Sequence, residues 1–383
     1  MSRTRRGLIP AVAILLLWAA SIVFYGALPW HEPAYRHWDL SKYIQMAEAA
    51  PGIDVQVERP YAQRLLGPWL AGVLHRASGL SVGGSFRLLS LLAAGLVLAI
   101  LYRFWRRRGL SEMTALVLVA FFVSNRALYG FALWDYFQLN DWIGLAALVI
   151  GLHALYDERR ARFTLALLIG VLSREATLAL LPVAAVFLHE RGRLRREGTW
   201  LAGVAAAAVA IVVAVRLAVP GTGGYEFWRA PLWFHEKLFQ AKTWFGWLVE
   251  AFAPLTWLPL VFRRETRRFV TASPHLLLLV ALVYASTLFA SDTTRLLAPC
   301  TVAFYLLMGR ILESRGPRAA LRLAGRLLPL ALPAALSHLL PAGDRGQVTL
   351  PSLVLILVPT LVAAGVGAFW ARGAATTVPH PPA

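Results

Sequence analysis

Residues 88–108 read LLSLLAAGLVLAILYRFWRRR, an apolar run that is long enough for a membrane helix and ends among four arginines. A helix that crosses the hydrocarbon core needs about 20 apolar residues, and loops rich in Lys and Arg stay on the cytoplasmic side. This stretch therefore predicts both a transmembrane helix and the side on which it ends.

The same pairing of an apolar run with an arginine cluster recurs along the whole chain. The further clusters are RTRR at 3–6, Arg159/Arg160/Arg162, Arg191/Arg193/Arg195/Arg196, Arg263/Arg264/Arg267/Arg268 and the run from Arg310 to Arg326. The chain is 58% apolar and 15% charged, whereas soluble domains are about 25% charged. We predict an all-α polytopic membrane protein with about 12 transmembrane helices, within a range of about 10–13.

The predicted spans lie at about 8–28, 84–102, 111–131, 141–156, 163–173, 176–188, 199–219, 244–262, 272–290, 296–309, 327–340 and 350–370. Residues 163–188 are long enough for one helix. Two short helices that turn at Ser173-Arg174-Glu175 are favoured, because they keep the arginine clusters before and after them on one side.

With this topology both termini are cytoplasmic. Residues 1–370 form a single transmembrane domain, and residues 371–383 form a disordered cytoplasmic tail. The alternative for the N-terminus is a signal peptide cleaved after Ala27.

The net charge of +18 has a simple explanation in short basic loops beside membrane lipids, so it does not indicate nucleic-acid binding. Cys300 is the single cysteine, which excludes an intrachain disulfide and a metal site built from thiolates. Only 3 of the 38 basic residues are lysines, which is typical of GC-rich bacterial genes. We therefore expect a multi-pass protein of the bacterial plasma (inner) membrane.

The largest segment outside the predicted spans is the first outer loop, residues 29–83. Asp39 precedes a short helical stretch in this loop. A second stretch carries an apolar stripe of Leu66, Trp69, Leu70, Val73 and Leu74, which predicts a helix lying in the membrane interface. The cytoplasmic loops are too short for a nucleotide-binding domain, so any enzyme chemistry would use lipid-borne or outer-side substrates.

Ionisable residues collect on the predicted outer side, where charges beside apolar helices are functional candidates. They are Asp39, Asp135, Asp141, Arg174, Glu175, Asp292 and Arg295. Each has a structural alternative as well: Asp39 and Asp141 suit helix N-caps, and Asp292 with Arg295 suits a surface ion pair.

Two further features have alternative interpretations. The aromatic-rich loop 220–243 suits sugar stacking or a lipid entry, or simply an interfacial aromatic belt. His31, His37 and His235 lie on the predicted outer side without a metal-binding motif. No cofactor is firmly predicted, and a divalent cation is possible.

Four stretches carry a resemblance to the GT-C class of integral-membrane glycosyltransferases. They are WDLSKY at 38–43, RPYAQRLLGPWL at 59–70, LLIGVLSREATLALLP at 167–182 and ASDTTRLLAPC at 290–300. The chain differs from several subfamilies in lacking a paired-acid motif in the first loop. It also lacks the large C-terminal soluble domain of oligosaccharyltransferases.

The resemblance implies an inverting transfer of a sugar from a polyprenyl-phosphate donor to a lipid, glycan or protein acceptor. It places Asp39 as the general base, with Asp135 orienting hydroxyl groups or substituting as the base. Arg174 and Arg295 are implied to bind the donor phosphate. The predicted substrate-binding set also includes Glu175, Asp292, Arg64 and Tyr61.

Two competing functions remain open from the sequence. A secondary transporter also has many spans and broken helices, although no internal repeat is apparent here. A non-catalytic lipid-binding or assembly protein is the other alternative, and it predicts that the outer charges tolerate substitution.

Overall fold

The computed structural model describes residues 3–32, 35, 38–53, 56–59, 61–219, 221–222, 237–288, 294–340 and 349–372. Over these residues the regular elements are helical, and the one β-type contact is an isolated parallel bridge between Glu58 and Thr222. The predicted all-α fold class is confirmed. Of the predicted tail 371–383, residues 373–383 lie outside the described residues.

The described residues form α-helices along the length of the chain. They are α1 (Arg3–Tyr25), α2 (Leu40–Ala49), α3 (Leu66–Ser78), α4 (Val82–Arg107), α5 (Glu112–Val123), α6 (Phe131–Trp134), α7 (Leu139–Tyr156), α8 (Arg160–Ser173), α9 (Leu180–Glu190), α10 (Leu194–Ala218), α11 (Ala241–Leu248), α12 (Leu258–Val261), α13 (Arg263–Ala272), α14 (Pro274–Thr287), α15 (Thr301–Glu313), α16 (Pro317–Leu327), α17 (Ala331–Leu336) and α18 (Leu350–Arg372). A π-helix, Arg126–Gly130, leads into α6.

Within the described residues, 7 helices are long and apolar enough to cross a membrane, or up to 9 if two bent pairs each count as one span. The bent pairs join α5 to the π-helix and α6 at 66°, and α13 to α14 at 98°. The predicted count of about twelve spans is not confirmed. Several predicted spans, α8 and α9 among them, are shorter than a bilayer-crossing helix.

Two predicted span boundaries are wrong. Residues 244–262 are not one helix but the short helices α11, Glu250–Phe252 and α12. Pro254 lies in this stretch, and proline interrupts helices because it lacks an N–H donor. The span predicted at 327–340 is part of a longer apolar segment, Pro317–Leu339.

The predicted hairpin at 163–188 is present as α8 and α9, with the break at Arg174. Ion pairs connect the start of α8 with α10 and the end of α9 with the loop before α8. Arg160, in the first turn of α8, donates to Glu197 Oε2 at 3.1 Å, and Arg193, just after α9, pairs with Glu158. The chain therefore enters α8 and leaves α9 on the same side, which we call the arginine-rich face.

The first outer loop packs on the ends of the bundle helices instead of forming a separate domain. Its core joins Tyr43 and Met46 of α2 to Phe86 of α4 and Phe137 before α7. The predicted helix α3 is present, but its buried face is formed by Gly67, Pro68, Ala71 and Gly72. The predicted apolar stripe is only half-buried, as expected if it contacts lipid.

Candidate functional site

Three residues from distant parts of the chain form an ion cluster opposite the arginine-rich face. Asp141 lies in the first turn of α7, Arg174 in the break between α8 and α9, and Arg295 at the start of the 3₁₀ helix Arg295–Cys300. Arg174 pairs directly with Asp141 Oδ1, and Arg295 Nε lies 3.4 Å from Asp141 Oδ2. All three side chains are largely buried, with 8–12% of each exposed. The fold thus places two guanidinium groups around one carboxylate.

The backbone at Arg174 explains how its side chain reaches this cluster. The residue is extended (φ −150°, ψ 122°), so it ends α8 and turns toward α7. Gly144 of α7 faces it, and a Cβ on this glycine would lie only 3.2 Å from Arg174 Cβ. A side chain at position 144 would therefore require the Arg174 side chain to shift slightly.

Arg64 reaches the same region from the first outer loop. Its Nη1 donates to the Tyr43 hydroxyl at 3.0 Å, and its charge interacts with Asp141 and Arg295. Asn140 of α7 holds the segment from Arg64 to Gly67 in place through two hydrogen bonds. Its Nδ2 donates to the Arg64 carbonyl oxygen at 3.1 Å, and its Oδ1 accepts from Gly67 N at 2.9 Å. The direct partner of the Arg64 guanidinium is thus a neutral hydroxyl.

A small cavity of about 50 Å³ opens beside the cluster. Asp141, Arg174 and Arg295 form its polar end. The other lining residues are mostly apolar: Gly144, Leu145, Leu148, Ala176, Thr177, Ser286, Leu296, Ala298 and Pro299. The arrangement suits an amphipathic molecule with a small anionic head and a long apolar tail.

Asp39 lies at the N-cap position of α2, but its side chain makes no capping hydrogen bond. The capping alternative for this residue is therefore wrong. Burial, and next the charge and hydrogen bonding of the neighbouring Asp39 carboxylate, raise the pKa of Tyr61 above its ordinary value. The half-buried Asp39 thus faces Tyr61, another predicted site residue.

Asp135 lies in the connection between α6 and α7 and is buried, with 3% of its surface exposed. Its Oδ2 accepts from Gln138 Nε2 at 2.9 Å, while Oδ1 has no hydrogen-bond partner within the described residues. Burial raises the pKa of Asp135 to about 6, and the charges of Asp39 and Asp141 contribute in the same direction. Asp135 therefore belongs to the same electrostatic site as Asp39.

Aromatic rings connect the two carboxylates with the arginines. We call Trp38, Phe131 and Trp134 the aromatic platform. The Trp38 and Phe131 rings are stacked with centroids 6.5 Å apart, and Trp38 and Trp134 are 5.9 Å apart. The Arg295 guanidinium lies 5.7 Å from the centroid of Phe131. Trp38 precedes Asp39 and Trp134 precedes Asp135 in the chain. The platform is therefore adjacent in sequence to both carboxylates and lies close in space to Arg295.

One predicted site residue is not part of this arrangement. Glu175 points elsewhere and pairs with Arg216 at 2.8 Å, with both side chains substantially exposed. Asp292 lies outside the described residues, as do His37, His235 and residues 223–236 of the aromatic-rich loop. Within the described residues no group of three or more His, Cys, Asp or Glu side chains could hold a metal ion. Metal use stays a prediction.

Asp141 is the central residue that the predicted catalytic and substrate-binding set lacks. The sequence offers it as a functional candidate with a helix N-cap as its alternative, and the structure pairs it with Arg174 and Arg295. An acidic residue in the first turn of an apolar helix suits the helix dipole equally well. Its position in WDYFQLND, six residues after Asp135, was the available signal.

No protein-family model and no curated protein sequence matches the chain. Among solved structures it is similar to ArnT from Cupriavidus metallidurans, solved bound to undecaprenyl phosphate. The sequence identity is 14%, the TM-score is 0.50, and the match covers 97% of this chain and 75% of ArnT. The chain therefore shares the fold of ArnT, and the predicted GT-C-like, all-α membrane fold is confirmed.

Proposed function

We propose that this protein transfers a sugar from a polyprenyl-phosphate donor to an acceptor on the outer face of the membrane. The observation that carries the proposal is the cavity with Asp141, Arg174 and Arg295 at its polar end and aliphatic side chains along its walls. A phosphate with an isoprenoid tail matches both the cationic end and the apolar walls of this cavity. The solved ArnT complex with undecaprenyl phosphate supports this choice of ligand class.

Arginine suits the phosphate end because its planar guanidinium can donate two hydrogen bonds to phosphate oxygens and stays protonated when buried. Arg174 and Arg295 are the proposed phosphate ligands, and Arg64 approaches from the first outer loop. Asp141 holds both ligands in place before the donor binds. Fixed cations in a water-poor site stabilise the charge that develops on the phosphate as the sugar leaves.

In the proposed reaction, an acceptor hydroxyl oxygen attacks the anomeric carbon and the bond from that carbon to the phosphate oxygen breaks. The bonding electron pair leaves with the polyprenyl phosphate, and the hydroxyl proton passes to the Asp39 carboxylate. A single displacement of this kind inverts the anomeric carbon. Asp135 orients a hydroxyl group through its unpartnered Oδ1.

The aromatic platform supplies a surface for the sugar between phosphate and base. Pyranose rings present C–H groups on one face, and these pack on aromatic rings, while carboxylates accept hydrogen bonds from the sugar hydroxyls. Trp38 beside Asp39 and Trp134 beside Asp135 offer both kinds of contact.

The membrane orientation is part of the proposal. The arginine-rich face is assigned to the cytoplasm on the positive-inside rule, which places the cavity and both carboxylates at the outer side. A lipid-linked donor reaches such a site through the bilayer and needs no cytoplasmic nucleotide-binding domain.

The test is mass spectrometry of envelope glycans and polyprenyl-phosphate sugars from a wild-type strain, a gene-deletion strain and the complemented deletion strain. The expected result is the loss of one glycan on deletion, accumulation of its lipid-linked donor, and restoration of both by the wild-type gene. Unchanged glycans would refute the proposed function and favour the transporter or assembly alternatives.

A further inference from the structure

A second cation lies near the aromatic platform, away from the donor phosphate site. Arg126 opens the π-helix that leads into α6, and its side chain is half-buried. Its Nη1 donates to the Ser337 hydroxyl at 3.1 Å. In the described part of the chain, no carboxylate lies within ion-pair distance of Arg126.

The cost of this arrangement points to a ligand. A guanidinium beside apolar membrane helices is expensive unless an anion or water compensates its charge. The Ser337 hydroxyl accepts one hydrogen bond from Arg126 but does not neutralise its positive charge. Arg174 and Arg295, by contrast, each lie beside the Asp141 carboxylate. Arg126 is therefore arranged like a binding residue for an anionic group.

The surroundings of Arg126 connect it to the reacting centre. His338, which follows its partner Ser337, lies with its ring centroid 5.8 Å from that of Trp134. Trp134 in turn contacts Trp38, the residue before Asp39. Arg295 contacts the platform at Phe131. Arg295 thus contacts the platform directly at Phe131, whereas Arg126 is connected to it through Ser337 and His338.

We propose that Arg126 binds an anionic group, a phosphate or a carboxylate, carried by the acceptor. The inference rests on the proposed glycosyltransferase function and defines its acceptor class. In the proposed reaction Arg174 and Arg295 bind the phosphate of the donor. Arg126 is therefore assigned to the other substrate, the acceptor. Anchoring the acceptor there places its hydroxyl near Asp39.

The experiment separates donor binding from acceptor use. Purified full-length protein in lipid nanodiscs is titrated with undecaprenyl phosphate, and product formation is followed by mass spectrometry in membranes of the deletion strain, which supply donor and acceptor. Arg126→Gln should lower product formation about tenfold or more, as expected for a lost charge-assisted hydrogen bond, with undecaprenyl phosphate affinity unchanged. Arg174→Gln should weaken undecaprenyl phosphate binding instead.

Two matched variants test the charge itself. Arg126→Lys keeps the positive charge and should retain part of the product, and Ser337→Ala removes only the hydrogen-bond partner and should retain most of it. Added salt screens the attraction between Arg126 and an anionic acceptor. It should therefore raise the acceptor concentration at which the wild type reaches half of its maximal rate, and leave that concentration unchanged for Arg126→Gln.

Each contrary result has a definite meaning. Full product formation by Arg126→Gln would overturn the acceptor site, as would equal losses in Arg126→Gln and Ser337→Ala, which would indicate a structural bridge. Weakened undecaprenyl phosphate binding by Arg126→Gln would reassign the residue to the donor. If wild-type protein forms no product in these membranes, the proposed function fails and this inference fails with it.

Discussion

At the scale of single residues, the site combines charges that come from different helices and loops. Asp141 joins Arg174 and Arg295, while Asp39 and Asp135 lie at the aromatic platform. The two groups have separate tasks in the proposed reaction, since the arginines bind the leaving phosphate and the carboxylates handle hydroxyl groups. Substitutions in each group should therefore give different kinetic defects.

The general base is tested by Asp39→Asn. The amide cannot take the acceptor proton, so activity should fall by about 10²- to 10⁴-fold while protein abundance in the membrane stays unchanged. Glycan mass spectrometry in the complemented deletion strain measures the loss. Glu48→Gln is the matched control, because it neutralises an exposed carboxylate on the same helix, α2. Full activity of Asp39→Asn would remove this residue from the mechanism.

The phosphate contact is tested by Arg174→Lys. A lysine ammonium is a point charge and cannot donate two parallel hydrogen bonds, so undecaprenyl phosphate affinity should fall about tenfold or more. Arg216→Lys is the control, since Arg216 forms an exposed ion pair with Glu175 that contributes little. Wild-type affinity in Arg174→Lys would argue against a bidentate contact.

The pKa of Asp135 gives a pH prediction. Burial raises this pKa to about 6, so the side chain loses its negative charge as the pH falls through that value. Transfer should then slow by about tenfold per pH unit below 6. The contribution of Asp135 to the stability of the folded state rises over the same interval, because its folded-state pKa is higher than its unfolded one. Titration of Asp135 therefore does not by itself unfold the protein.

The measurement is the pH profile of the wild type and of Asp135→Asn. The variant should be slower at neutral pH and should lack the decline near pH 6. An identical acid limb in both proteins would assign the titration to another group.

At the scale of elements, breaks in helices position the functional residues. Arg174 ends α8, Arg126 opens a π-helix, and Arg295 begins a 3₁₀ helix. A straight apolar helix directs its side chains into lipid or neighbouring helices, whereas a break frees backbone groups and lets a charged side chain turn inward. The interrupted spans are thus the elements that build the site.

The contact between α2 and α3 should be sensitive to volume. A Cβ on Gly72 would overlap the carbonyl oxygen of Ala47, and backbone cannot move aside as a flexible side chain can. Gly72→Ala should therefore destabilise the protein by about 1–3 kcal/mol, seen as a lower melting temperature in nanodiscs. Gly203→Ala on α10 is the control, since nothing lies within 4 Å of its added Cβ. Equal melting temperatures would contradict this packing.

At the scale of the whole molecule, the charges divide the protein into two faces. The loops that join α7 to α8 and α9 to α10 meet at the arginine-rich face through Arg160, Arg193 and Glu197. Arg315 donates to the carbonyl oxygen of Ala371 at 3.1 Å, which places the end of α18 at this face as well. The cavity cluster lies at the other ends of α7 and α8.

This division predicts the result of cysteine labelling. Cys300 is buried, so the wild type should stay unlabelled by a membrane-impermeant maleimide. Ser78→Cys, in the first outer loop, should react in intact spheroplasts, whereas Arg195→Cys should react only after lysis. Both positions are exposed, which makes them a matched pair. The reverse pattern would invert the topology and place the site at the cytoplasmic side.

The sequence alone was sufficient for the membrane class, the helical fold and the break at Arg174, because these follow from local hydropathy and from where arginines are placed. It also predicted Asp39, Asp135, Arg64, Arg174 and Arg295 as site residues, since charged residues beside apolar helices are rare. It misjudged residues 244–262, where helix-breaking prolines outweigh an apolar composition that suits a span.

Only the tertiary structure could show which charges meet. Glu175 neighbours Arg174 in sequence yet pairs with Arg216, while Asp141 meets Arg174 and Arg295 across long stretches of chain. Hydropathy and motif spacing describe one helix at a time and contain no information on the rotation of packed helices. Partner choice depends on that rotation, because a buried charge is stable only beside the opposite charge that packing brings to it.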